Sequence, residues 1–144
     1  MLIYFNYLLL KSLLFYALAF IGAALVLYLS WRTHPRMEEV WFIPAWVSAW
    51  ADERRNDTLR TAVPFVALGW LAGGWLLVQG RPWRQWLWAW AALVGLVIVA
   101  EIGQVFMPER SFDLADIGWG AAGALLGLGT LAAIRRLYLA LGRG

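Results

Sequence analysis

Cysteine is absent from the 144 residues, and histidine and lysine occur once each, as His34 and Lys11. Without thiols there are no disulfides and no thiolate metal ligands, and redox chemistry says nothing about compartment. A single imidazole excludes a histidine-rich centre, so no metal site is expected. The sequence contains no GxxxxGK[ST] loop to cradle a nucleotide phosphate, so a nucleotide-driven pump is not expected; no cofactor is expected. Charge is sparse as well: charged residues are 15%, and twelve Lys and Arg against nine Asp and Glu give +3. The arginines sit between apolar runs and make no continuous basic face. They suit phospholipid headgroups, and no nucleic-acid partner is expected.

What the chain has in excess is apolar surface. Hydrophobic residues make up 62%, with a mean hydropathy of +0.65, against about 45–50% apolar residues in soluble globular proteins. A single domain spanning 1–144 cannot hide that surplus inside so small a body, whose surface stays large for its volume. Lipid must be the solvent for most of the chain. The expected fold is therefore all-α and polytopic, with four transmembrane helices and a short interfacial helix between spans one and two.

The first span is the uncharged run of 18 residues from Ser12 to Leu29, extended by Leu8 to Leu10. It reads as a retained span, too long for a cleaved signal core. Lys11 can snorkel, and Tyr4, Phe5 and Tyr7 supply interfacial rings. In the connection 31–60, Pro35 and Pro44 break the chain. A short helix follows Pro44, with Phe42, Trp46 and Trp50 on one face for the headgroup region; a platform for sugar rings is the alternative. Span two, Thr61 to Gln79, places Pro64 in its first turn and carries the Gly69/Gly73 pair that permits close packing. A short basic turn makes a hairpin with span three, whose entrance is crowded by Trp83, Trp86, Trp88 and Trp90, an aromatic belt. Span four runs from about Leu114 to Ile134. Its Gly120, Gly123 and Gly127 are expected to pack against span three and bring Asp116 toward Glu101.

Glu101, Gln104, Arg110, Asp113 and Asp116 straddle the turn between spans three and four, and ionisable groups at membrane depth are functional-site candidates. Several arrangements suit them. Arg110 can bridge Asp113 or Glu101 in an internal ion network. The group can bind a lipid headgroup or glycan, with Arg110 taking a phosphate bidentately. It can perform acid-base chemistry on a lipid-linked substrate, or form part of a proton or cation path. A non-catalytic assembly role, with an unidentified protein partner, is a further class. Six basic residues fall on each side of a four-span topology, so the positive-inside rule does not choose. All the acids fall on the side holding this group, which favours cytoplasmic ends and an outward-facing site.

This stretch resembles the VanZ-like membrane proteins, a family named for an accessory protein of teicoplanin resistance. Glu101, Gln104, Pro108, Arg110, Asp116, Gly123 and Gly127 fall on the family pattern, and Phe112 and Asp113 fit its RxFD variant. The family's Asn falls on Gly120 here. FVALGWL, residues 65–71, is similar to the family's FxPLGFL with Ala67 in place of proline. The resemblance implies a small integral protein of the bacterial cytoplasmic membrane that acts at the envelope, with a link to glycopeptide resistance; the partner expected from the polar residues themselves is a membrane phospholipid or lipid-linked glycan. It implies no established reaction.

Overall fold

Residues 2–34, 36–107 and 110–141 are described in the structure, a computed structural model, with side chains from residue 9 onward. Tyr4, Phe5, Tyr7, Pro35, Pro108 and Arg143 therefore lie outside what is described at the level of side chains. The fold is all-α. Among the described residues four helices are long and apolar enough to cross a membrane: α1 (Leu2–Ser30), α3 (Asp57–Val78), α4 (Trp83–Gln104) and α5 (Leu114–Leu141). Short helices fill the first connection, two 3₁₀ turns (Met37–Glu39 and Arg54–Asn56) flanking α2 (Ala45–Ala51).

α3 and α5 form the most extensive interface, and their glycines create it. A methyl group at Gly69 would lie 2.8 Å from the Ala124 carbonyl oxygen and 3.0 Å from the Gly127 Cα. One at Gly123 would strike the Ala62 carbonyl, and one at Gly127 the Val66 carbonyl. The thin side of span four thus meets span two, which corrects the expectation of packing on span three. Two small-xxx-small faces meeting each other bring backbone to backbone, which neither achieves against a helix of larger side chains. Gly120 alone faces span three, where Val97 would be 2.8 Å from an added methyl. Trp70 Nε1 donates to Thr130 Oγ1 at 2.9 Å across the α3–α5 seam.

The turn between α3 and α4 is set by Gly80, whose φ of 61° suits glycine. Gly80 N–H bonds the Leu77 carbonyl at 3.1 Å and Arg81 N–H the Leu76 carbonyl at 3.0 Å, the paired closure of a Schellman motif. α3 starts at Asp57, four residues before the run expected from Thr61, so Pro64 lies in the helix interior. It has no N–H to give the Arg60 carbonyl.

The tryptophans also depart from a simple belt. Trp88 is 69% exposed as an anchor should be, but Trp86 is 3% exposed, in a core with Leu76 and Leu128. Trp90 Nε1 donates to the Ala121 carbonyl at 3.1 Å, joining α4 to α5. In the first connection the expected interfacial face is present, with Phe42 and Trp46 exposed. Its inner side is a small core of Met37, Val40 and Ala51. Asp52 pins it by accepting the Met37 and Glu38 N–H groups at 2.8 and 3.0 Å.

Candidate functional site

The last two turns of α4 bury Val97, Ala100, Glu101 and Gln104, a spacing that keeps all four on one helical face. Glu101 is therefore drawn inward with its apolar neighbours. It is 2% exposed. The end of α1 helps to cover this region: Trp31 Nε1 donates to the Ala100 carbonyl at 3.1 Å. The Trp31 indole occupies the space that a side chain at Gly103 would need.

A buried carboxylate requires donors, and Glu101 Oε2 accepts the Asp113 backbone N–H at 3.1 Å. Asp113 turns its own carboxylate elsewhere: Oδ1 accepts the Ala115 N–H at 2.8 Å. That is an N-cap contact, made at the residue before α5 begins. Asp113 is exposed and organises the helix start. Asp116 lies in the first turn of α5, where the positive end of the helix dipole favours an acid. The Thr61 hydroxyl faces it from α3.

Glu101, Gln104, Arg110 and Asp116 line one cavity of about 480 Å³; Asp113 does not. Arg60 and Thr61 complete its polar end. The other walls are aliphatic and aromatic, chiefly Leu18, Leu25 and Leu29 from α1 and Phe65, Leu68 and Leu71 from α3. From Ser30 to Leu18 the lining follows α1 for about 18 Å at the helical rise. That is more than half of a hydrocarbon core of roughly 30 Å. The volume lies in the range of small-molecule sites.

Of the arrangements open to it, Arg110 does not make the internal bridge: among the described residues no ion pair joins it to Glu101 or Asp113. Its Nε instead donates to the Arg32 carbonyl at 3.4 Å. Burial first, and then the positive charge of Arg60, hold the Arg110 guanidinium below the usual arginine range; Glu101 opposes this and Arg32 adds to it. Arg32 has a partner in Glu39 at 3.6 Å, whereas among the described residues Arg60 and Arg110 form no ion pair. Two guanidiniums thus converge on a cavity with a third beside them.

Arg32, Arg60 and Trp31 are the components that sequence spacing did not flag. They lie 78, 50 and 79 positions before Arg110, and reading along single helices gives no sign of the convergence. Among the described residues no group of three His, Asp or Glu side chains is placed to hold a metal. No protein-family profile, curated protein or solved structure matches the chain.

Proposed function

We propose that this integral membrane protein binds an envelope lipid with a phosphate and a hydroxylated headgroup, either a phospholipid or a lipid-linked glycan. The observation that carries the reading is the change in character along one cavity, from aliphatic walls between α1 and α3 to a mouth bearing Arg60, Arg110, Glu101, Gln104 and Asp116. An acyl chain suits the first part. A phosphate suits the arginines, because an anion between two like charges relieves their repulsion and a guanidinium can hold it bidentately. The carboxylates and the Gln104 amide can bond hydroxyl groups, as a sugar or glycerol presents. The VanZ-like pattern on Glu101, Gln104, Arg110 and Asp116 supports an envelope setting, and the placement of all the acids on the side of the mouth supports a mouth facing outward with both ends cytoplasmic. On this reading the protein contributes to glycopeptide tolerance by engaging such a lipid.

The test is mass spectrometry of lipid retained through mild-detergent purification of wild type, Arg110→Lys and Glu101→Gln. Lysine keeps the charge but lacks the planar fork, so Arg110→Lys should lose the retained lipid while inserting normally. Unchanged lipid in both variants would overturn the reading. A second reading, acid-base chemistry on the same lipid, is favoured by the presence of two carboxylates, Glu101 and Asp116, on one cavity. It predicts that Glu101→Gln keeps the lipid and loses the cellular phenotype, measured as teicoplanin susceptibility.

A further inference from the structure

At the opposite end of the bundle, α4 and α5 border two further hollows. An apolar groove of about 230 Å³ runs past Leu87, Leu125 and Gly129, and a pocket of about 220 Å³ is bordered by Arg135 and Arg136. Trp83, Trp86 and Ala132 line both, so the two adjoin each other. Arg135 is anchored by donating to the Arg81 carbonyl at 3.0 Å, which links it to the α3–α4 turn. The Arg136 guanidinium lies 5.5 Å from the Trp83 ring centre. No Asp or Glu occurs in residues 61–100 or 117–144, and the acids of α4 and α5, Glu101 and Asp116, line the cavity at the other end, so no side-chain carboxylate borders these hollows to neutralise the arginines.

We propose that this is a binding site for an anionic phospholipid of the leaflet opposite the Glu101 cavity, with its phosphate at Arg135 and Arg136 and one acyl chain in the groove beside Gly129. Charge complementarity selects the occupant. Arginines beside a headgroup layer attract anionic lipid and do little for a zwitterionic one, and the apolar groove leads from them toward the membrane interior. Trp83 closes the headgroup end as an amphipathic ring at the interface. The site is separate from the cavity lined by Glu101 and Arg110, and the proposal does not depend on that cavity's function.

Purified protein in mixed micelles is titrated with phosphatidylglycerol and, separately, with phosphatidylcholine of the same chains, and binding is read by native mass spectrometry. Wild type should prefer phosphatidylglycerol. In an Arg110→Lys background, which removes the contribution of the Glu101 cavity, the double variant Arg135→Gln, Arg136→Gln should lose roughly tenfold in affinity for it and show no preference. Gly129→Leu tests the groove, because a methyl group there meets nothing within 4 Å and a larger side chain fills the space without moving a helix. It should weaken both lipids while thermal melting in detergent is preserved. Equal binding of the two lipids by wild type, a preference that survives removal of both arginines, or a Gly129→Leu protein that binds as wild type does would each overturn the proposal.

Discussion

Replacing each helix glycine by alanine turns the α3–α5 seam into a graded measurement. A methyl group at Gly123 or Gly127 would collide with a backbone carbonyl of α3, which cannot rotate away. At Gly69 the nearest atoms, at 2.8 and 3.0 Å, are also backbone. At Gly73 they are side-chain atoms of Leu131 and Trp86 at 3.2–3.3 Å, able to shift by a few tenths of an ångström, and at Gly129 there is none within 4 Å. Alanine gains up to about 1 kcal/mol over glycine in helix propensity, and overpacking costs about 1–3 kcal/mol. The net expectation is a loss of roughly 1–2 kcal/mol at Gly123 and Gly127, slightly less at Gly69, near balance at Gly73 and a small gain at Gly129. Gly123→Leu should be worse than Gly123→Ala, whereas the volume-preserving Leu125→Ile, at an exposed position, should be mild. Reversible unfolding in mixed micelles titrated with a denaturing detergent gives the ranking. If Gly123→Ala is no less stable than Gly129→Ala, close backbone contact is not what holds α3 to α5.

Two further outcomes follow from the connections. Asp52→Ala removes the acceptor of the Met37 and Glu38 N–H groups; the loss, about 1–2 kcal/mol by analogy with capping, should be local. Amide exchange at residues 37–39 should accelerate while melting of the bundle is unchanged, and unaltered protection would refute the role given to Asp52. Reporter fusions after Trp50 and Met107 should label on one side and after Arg81 on the other, with the first pair outside; identical labelling at Arg81 and Met107 would remove α4 as a span.

Hydropathy was enough to read the four spans because lipid exposure imposes a simple rule on long runs. It placed the start of α5 at Leu114, where Asp113 caps it. It set the start of span two four residues late because Asp57 to Arg60 are mostly polar, and their helical continuation is decided by the folded connection before them. The glycine pairs were legible as contact surfaces, but their partner was not. Both α3 and α4 are apolar, and only geometry in three dimensions decides which of them presents a face thin enough for Gly123. The polar site was legible where its residues lie within sixteen positions, from Glu101 to Asp116. The Arg60 guanidinium enters it from the start of α3 and Arg32 offers its carbonyl to Arg110 from beyond the end of α1, and the positions of both looked like ordinary headgroup contacts.

Glu101 is where folding and function can be separated. Its carboxylate is buried and receives the Asp113 N–H at 3.1 Å, so part of its role is to satisfy a donor at the threshold of α5. Glu101→Leu leaves that part-buried N–H without its acceptor, at a cost of about 1 kcal/mol, the low end of the range for an unpaired buried donor. Glutamine has nearly the same shape and keeps a carbonyl oxygen for the same N–H. If the carboxylate served only as an acceptor, glutamine would serve equally well, and Glu101→Gln would match wild type in melting, lipid retention and cellular phenotype alike. The headgroup reading asks more of this position, because Glu101 also faces the cavity with Arg110 and Asp116. The expected pattern is therefore split: Glu101→Leu loses stability and lipid, while Glu101→Gln melts close to wild type and loses lipid. Paired melting curves and lipid analysis of the two variants decide it. A Glu101→Leu protein as stable as wild type would remove the structural half of the argument, and a Glu101→Gln protein with its full lipid complement would remove the binding half.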